Sequence, residues 1–274
     1  VIRPAAFCGV TGFKPSFGAI PRTGVLAQSQ SLDTVGVFAR DMADAAMLAD
    51  QLFGFDAGDP ATRPAPPPRL LETALSAPPV PPAFALLRPP GWDRAEAQTR
   101  AAFEELSAVL GAQSFAVDLP PHFEDAAGLR ARINFAEMSR CYYRYGRDGA
   151  DVLGPQVAEA IRAGSEITAR DYLAALDRVN VYNAALGEIF ERADALLMPA
   201  TLGPAPKGLG STGDAIFNGL WTLCGTPAVT LPLLTSEEGL PMGVQLVGAR
   251  GNDARLMRTA IWLADRMEQG AKDG

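Results

Sequence analysis

The chain has 274 residues, of which 48% are hydrophobic and 20% are charged, a balance typical of a soluble globular protein with a sizeable core. Its formal net charge of −7 argues against nucleic acid as a direct partner, because binding to phosphates requires a positive surface. No apolar run approaches the roughly 20 residues of a membrane-spanning helix, so we expect no membrane partner.

The N-terminal segment predicts tight turns beside a packed centre. Its glycines recur among β-branched and aromatic residues, at Gly9, Gly12, Gly18 and Gly24. Glycine permits both close backbone approach and positive φ angles, and this pattern alone fits the loop–strand–loop of many α/β proteins. Further along, Asp41 is placed to cap a helix that ends at Gly54. That helix has an apolar stripe of Met42, Ala45, Ala46, Ala49 and Leu52.

The next segment predicts a surface connector followed by a βαβ unit. Residues 55–83 contain two proline-rich runs, which are typical of a connector without regular structure. Residues 84–87 and 115–119 are short strand candidates. The helix between them is expected to be capped by Asp93 and to stop at Gly111. A strand, a helix and a strand of these lengths indicate a βαβ unit.

The remainder of the chain predicts helices, then buried strands around a long loop. Residues 123–192 are expected to be mainly helical, and Thr168 with Asp171 resembles a capping box for a helix that continues to about Phe190. Residues 200–214 are rich in Gly, Pro, Ser and Thr, and loops of this size are often functional. The strand candidates are 196–198, 229–234 and 244–247, and the last helix is expected to run from a cap at Asn252 through Met267.

The single histidine and the three cysteines argue against two common catalytic sets. A Ser-His-Asp triad needs a histidine as base, and His122 is expected to be a solvated loop residue at a helix start. A buried lysine with a lowered pKa fits that role better. Cys8, Cys141 and Cys224 lie far apart, which predicts reduced thiols of a cytoplasmic protein and no metal site. We expect Cys8 and Cys224 to be buried by packing.

Two segments carry motifs that match one family in order. The first contains Ile2-Arg3-Pro4-Ala5, Phe7-Cys8-Gly9-Val10, Gly12-Phe13-Lys14-Pro15, Gly18 to Gly24 and Ser31-Leu32-Asp33. The second contains Phe217, Asn218, Gly225, Pro227, Ala228, Pro232, Gly239, Leu240, Pro241, Gly243, Gln245, Leu246 and Gly248. The chain thereby resembles the amidase-signature hydrolases, although its middle third matches them in helical character alone.

The resemblance implies an α/β fold with a mixed central β-sheet covered by helices on both faces. It implies that residues 1–274 are the C-terminal portion of a single amidase domain, with the N-terminal part of the fold missing. In that family a serine attacks the amide, a second serine relays the proton and a lysine acts as base, without a cofactor or a metal. By the motif, the nucleophile would stand immediately before Val1. We therefore expect no catalytic residue within the chain.

Four residues are candidates for substrate binding. Arg3 lies three positions after the implied nucleophile, where some family members carry an arginine, and a guanidinium so placed can bind a substrate carboxylate in a bidentate manner. The alternative is a structural arginine that bonds backbone carbonyls beneath the nucleophile turn, and the two are equally supported. Asn218, Trp221 and Thr222 precede a Gly-x-Pro turn and are candidates for lining the pocket, with core packing as the alternative.

Other suggestive residues are expected to be structural. Lys14 matches the family's G-x-K-P position and not that of the base, and Ser29 and Ser31 do not match the nucleophile. Asp33 is expected to form an Asx-type turn, the alternative being that it orients an active-site cation. Four aromatic residues are expected to pack in the core, although they could shape a leaving-group pocket: Phe135, Tyr142, Tyr143 and Tyr145.

The sequence thus predicts a bacterial amidohydrolase that acts on small or carboxylate-bearing amides. One alternative is the glutaminase component of a transamidation complex, which would require partner subunits and an ammonia path. Another is a non-catalytic fragment or scaffold, because the chain carries no complete catalytic set. The partner we expect is a small-molecule amide, and the oligomeric state is left open, with a homodimer among the options.

Overall fold

A seven-stranded mixed β-sheet forms the centre of the computed structural model, which describes residues 1–66 and 68–273. Its strands are β1 (Thr11–Lys14), β2 (Val37–Ala39), β3 (Phe84–Leu87), β4 (Ser114–Val117), β5 (Ala195–Pro199), β6 (Ala228–Thr235) and β7 (Pro241–Val247). The order across the sheet is β2-β1-β6-β7-β5-β3-β4. The β5-β3-β4 end is parallel, and the remaining neighbours are antiparallel.

Helices cover both faces of this sheet. They are α1 (Ile2–Cys8), α2 (Met42–Leu52), α3 (Leu70–Ala74), α4 (Ala97–Leu110), α5 (Ala126–Cys141), α6 (Tyr143–Asp148), α7 (Pro155–Ser165), α8 (Ala169–Phe190), α9 (Gly219–Leu223) and α10 (Asp253–Asp273). Buried hydrophobic residues of α1, α5, α8 and α9 contribute to one core cluster, and those of α2, α3, α4 and α10 contribute to the other.

The central strands show why two layers are needed. All five residues of β5 are buried. Leu196 and Met198 belong to the first cluster, whereas Ala195 and Leu197 belong to the second. Successive side chains of a strand point to opposite faces, so a continuous apolar strand must be covered on both. The expected mixed sheet with helices on both faces is confirmed.

Several local predictions agree with the structure. The strand at 84–87 has the predicted bounds, and β3 pairs in parallel with β4 across the helix α4, as a βαβ unit requires. The side chain of Asp41 accepts a hydrogen bond from the Asp44 amide at 2.8 Å. The Thr168 hydroxyl accepts one from the Asp171 amide at 3.1 Å, and α8 ends at Phe190. In the two helix caps the capping side chain and the amide that it bonds lie three residues apart.

Three local predictions were wrong. The connector at 55–83 contains α3, because the carboxylate of Asp50, on α2, accepts hydrogen bonds from the first two amides of α3 at 2.6 and 2.8 Å. Asp93 lies in a separate 3₁₀ turn and does not cap α4, whose N-terminus has no side-chain cap. Leu52, expected in the buried stripe of α2, is 38% exposed because the helix ends there.

The N-terminal segment begins with a helix that the glycine pattern did not predict. Helix α1 ends at Gly9, whose φ of 65° is left-handed. The helix lies directly on the sheet. A Cβ on Gly12 of β1 would fall 2.6 Å from the Ala5 Cβ, and one on Gly243 of β7 would fall 2.6 Å from the Ala6 Cβ. These two glycines therefore bring α1, and with it Val1, against the sheet.

None of the helices in the described ranges is both long enough and apolar enough to cross a membrane. Within the same ranges, no three or more His, Cys, Asp or Glu side chains are arranged to hold a metal ion.

Candidate functional site

A cavity of about 210 Å³ opens beside the first residues of α1. We call it the Val1 cavity. Its walls come from α1, β1, α5, α9 and the buried strands β6 and β7. The residues that give it its shape and charge are Val1, Arg3, Lys14, Arg130, Asn218, Gly219, Trp221, Thr222 and Gln245. The four residues singled out from the sequence as substrate-binding candidates thus line one cavity, although Arg3 lies more than 200 positions from the other three.

Arg3 links α1 to the long loop at 200–214. Its Nη1 donates to the Gly213 carbonyl at 2.9 Å, and its Nη2 donates to the Thr212 hydroxyl at 3.2 Å. Both bonds go to the protein's own loop, one of them to a backbone carbonyl, as expected for a structural arginine. The predicted long loop, which has no helix or strand, is held against α1 in this way.

A buried amide network fixes the segment that carries Asn218 and Trp221. The Asn218 Nδ2 donates to the Ala200 carbonyl at 3.0 Å and to Gln245 Oε1 at 3.2 Å. Gln245 Nε2 and the Trp221 indole N–H both donate to the Phe217 carbonyl at 2.9 Å. Since its N–H is already bonded and the residue is buried, Trp221 offers the cavity an apolar wall and no donor.

Gln245 was not among the sequence candidates for the site. The signal was present, because a glutamine stands inside the otherwise apolar run of β7 and is fully buried. A buried side-chain amide must find partners, and those of Gln245 are the backbone and side-chain groups that shape the cavity wall. Thr222 is half-buried and lines the cavity without a side-chain hydrogen bond among the described residues.

Lys14 is buried and serves the structure, as expected from its motif position. Its Nζ donates to the Pro15 carbonyl at 3.0 Å and to the Thr226 carbonyl. Burial lowers the pKa of Lys14 to about 8, and the nearby Asp253 carboxylate opposes that change. Burial likewise raises the pKa of Asp253, partly offset by hydrogen bonds from Ser16. These contacts join β1 to the start of α10.

Ser29 and Ser31 are bonded to a buried carboxylate away from the Val1 cavity. Both hydroxyls donate to Glu137 on α5, and the Tyr172 hydroxyl donates to it at 2.7 Å. Burial works against ionisation of Glu137, but these hydrogen bonds outweigh it and keep its pKa below the usual value. The two serines therefore connect the loop to α5, which agrees with their exclusion as nucleophiles. The Asp33 carboxylate accepts from the amides of Gln28 and Ser29, which precede it in the chain. It therefore closes the loop at 28–33 and does not form the expected Asx-type turn, in which the bonded amide follows the aspartate.

Burial was predicted wrongly for four residues. Cys8 is exposed, whereas Cys224 is buried as expected, and burial raises the pKa of Cys224 to about 12. Tyr143 and Tyr145 are 61% and 51% exposed and do not pack in the core. His122 is half-buried, with its ring stacked on Tyr182 at 5.9 Å between centroids. The sequence pattern gives the position of these side chains along the chain, but not the residues that pack against them.

A second, wider groove of about 750 Å³ lies between residues 22–35, residues 58–60 and the end of α5. Tyr142, one of the aromatic residues considered for a pocket, lines it together with Arg140. Its base is held by Arg22, which donates to the Asp59 carboxylate at 2.9 and 3.0 Å. This bonding keeps the pKa of Asp59 far below its usual range. The exposed Val25 and Leu26 form part of the rim.

Comparison with known proteins identifies a matching family and solved structures of similar architecture. The model of the Amidase family matches residues 1–257. A relative from Thermus thermophilus, the A component of its glutamyl-tRNA(Gln) amidotransferase, is 33% identical over 291 aligned positions. The alignment covers 95% of this chain and 61% of that protein.

Two solved structures superpose closely on the chain. One is a crystal structure of an amidase, with a TM-score of 0.80, 27% identity and coverage of 97% of this chain and 60% of the other. The second comes from a vestigial protein complex connected with the evolutionary origins of an s-triazine catabolic enzyme. It has a TM-score of 0.85, 26% identity and the same coverage. The chain thus spans about three fifths of the length of these similar proteins.

Proposed function

The chain belongs to the amidase-signature family, and from this premise we propose that the protein hydrolyses a carboxamide C–N bond through an acyl-enzyme. In this proposal residues 1–274 are the C-terminal portion of a single amidase domain. The nucleophilic serine stands immediately before Val1, and the second serine and the lysine base lie further upstream. The similar proteins are longer than the part matched here, which leaves room for such an upstream portion.

The position of Val1 in the wall of the cavity is the observation that carries the proposal. A serine joined to Val1 stands one residue from a cavity that Arg3, Asn218, Trp221 and Thr222 also line. Its Oγ would attack the amide carbon, the amine would leave with a proton, and water would then cleave the ester. The Trp221 wall excludes water from one side, and the network around Gln245 holds that wall in place.

Labelling of the full-length protein with a fluorophosphonate, followed by peptide mapping, tests this function. The label is expected on the serine that precedes Val1. Residues 1–274 alone are expected to be unlabelled and inactive, because a catalytic set loses several orders of magnitude in rate when one member is removed. Turnover by residues 1–274 that is abolished by Ser29→Ala or Ser31→Ala would contradict the assignment.

A second candidate function uses the same chemistry in a complex. The 33% identity to a component of a glutamyl-tRNA(Gln) amidotransferase supports a role in releasing ammonia from glutamine. That role requires partner subunits, whereas an independent amidase does not. Glutamine hydrolysis that rises at least tenfold when co-purified partners are restored would favour the transamidation role. Hydrolysis of simple amides by the isolated full-length protein, without such a rise, would favour the amidase.

The setting in which the protein works is also proposed. The similar amidotransferase component is from a bacterium, which supports a bacterial source, and the free cysteines fit a reducing cytoplasm. A homodimer is a further proposal, and sedimentation of the full-length protein at several concentrations tests it.

A further inference from the structure

Arg130 projects from α5 to a wall that the Val1 cavity shares with a neighbouring cavity of about 370 Å³. Its place depends on Gly219, the first residue of α9. A Cβ at Gly219 would fall 2.7 Å from the Arg130 Nε and 3.1 Å from its Cδ. The missing side chain at Gly219 thus leaves room for the guanidinium in the cavity wall.

The two arginines of the Val1 cavity differ in their bonding. The Arg3 guanidinium donates hydrogen bonds to the Gly213 carbonyl and the Thr212 hydroxyl. Among the residues that the structure describes, Arg130 makes no side-chain hydrogen bond within 3.5 Å and no ion pair within 4.0 Å. A guanidinium carries five N–H donors in a rigid fork that matches a carboxylate. The guanidinium of Arg130 therefore has no protein partner among the described residues, whereas that of Arg3 has two.

The charges around Arg130 favour an anion in the Val1 cavity. Its charged lining residues are Arg3, Lys14 and Arg130, and none of its described lining residues is acidic. Glu124 and Asp214 line the neighbouring cavity. Asp214 is paired with Arg94 at 2.5 Å, and within the described ranges neither acid pairs with Arg130. A ligand carboxylate in the Val1 cavity would thus meet positive charge that no carboxylate in its described lining neutralises.

We propose that Arg130 is the residue that selects a carboxylate-bearing amide, whereas Arg3 positions the 200–214 loop. This inference rests on the proposed amidase function and names its substrate class. The carboxylate binds the Arg130 fork, and the amide carbon lies toward Val1. Because the fork binds ground state and transition state alike, its loss appears in KM for the anionic amide.

The test uses the full-length enzyme and pairs of substrates that differ in one group, such as succinamate against succinamide and the shorter and longer homologues of both. The ratio of kcat/KM for the anionic amide to that for the neutral amide is measured. Arg130→Gln should lower this ratio about ten- to a hundredfold, the loss expected for a hydrogen bond to a charged group. Gly219→Ala should also lower this ratio. The new methyl group displaces the Arg130 guanidinium, although the charge of Arg130 is retained.

Two controls separate this role from a structural one. Arg132→Gln removes the same charge from an exposed position on the same helix, outside the lining of the Val1 cavity, and should leave the ratio unchanged. Arg3→Gln should lower kcat/KM for the anionic and the neutral amide by the same factor. Should Arg130→Gln fail to fold, Arg130→Lys and Gly219→Ala carry the test.

The outcomes separate the inference from the function on which it rests. Absence of labelling by a fluorophosphonate would overturn the amidase function itself. Labelling without turnover of any anionic amide, or an equal loss for both members of a pair in Arg130→Gln, would overturn the role of Arg130 alone. A ratio that falls in Arg3→Gln but not in Arg130→Gln would transfer the role to Arg3.

Discussion

The buried polar groups at the motif-bearing ends of the chain and the exposed ion pairs of α7, in its helical middle, are held in opposite ways. At the ends, Lys14 and Gln245 are buried and bond to backbone that is distant in sequence. In the middle, Arg162 pairs with Glu159 and Glu166 on exposed surface, within one helical turn. A buried polar group that loses its partner is costly, whereas exposed pairs contribute little. The buried groups at the ends should therefore be sensitive to substitution, and the exposed pairs of α7 tolerant.

The largest effect expected is the pH dependence that Lys14 introduces. Burial lowers its pKa from 10.5 to about 8 in the folded protein, so between these values the unfolded chain binds more protons. Stability should then rise with pH through this window, and below it the folded state should bear a cost of up to about 3 kcal/mol. In Lys14→Met this rise should vanish. Urea unfolding from about pH 7 to pH 10 measures it, and parallel curves for the two proteins would show that Lys14 is not buried in charged form.

The next effect comes from the close approach of α1 to the sheet. In Gly243→Ala the new methyl group meets Ala6 and Thr230, and overpacking of this kind costs about 2–3 kcal/mol. Gly187→Ala in α8 is the matched control, because no atom lies within 4 Å of its Cβ position, and it should stabilise by about 0.5–1 kcal/mol. The same urea midpoint for both variants would mean that α1 does not rest on the sheet as described.

A smaller loss is expected when the amide network is cut. Gln245→Leu keeps the volume but removes the acceptor for one Asn218 N–H and a donor to the Phe217 carbonyl, which should cost about 2 kcal/mol. Gln156→Leu, at an exposed position of α7, should be neutral in the same thermal melt. In the full-length enzyme the Gln245 variant should also lose activity, since the Trp221 wall is no longer held.

The smallest effect is expected in the middle of the chain. Arg162→Ala removes both ion pairs of α7, whose side chains are more than half exposed, and should leave the melting temperature unchanged within error. A loss comparable with that of Gln245→Leu would remove the distinction between the two regions.

Sequence predictions agreed with the structure where the interacting residues are close together in the chain. The cap of α8 at Thr168 and the strand at 84–87 depend on residues that are adjacent in the chain, and both were predictable. Helix α3 depends on the Asp50 carboxylate of another helix, and no local pattern reveals such a cap. The exposure of Cys8 was missed for a related reason, because a motif conveys residue order and not solvent exposure.

By itself, the sequence determined the family, the two-sided burial of the central strands and the four residues that meet at one cavity, because motif order and strand alternation are properties of the chain. The tertiary structure alone decided which cationic side chains are hydrogen-bonded within the protein. The bonds of Arg3 to the 200–214 loop, the space that Gly219 leaves for Arg130 and the burial of Lys14 all arise from segments that are far apart in sequence. Their energies depend on distances that only the packed sheet and helices establish.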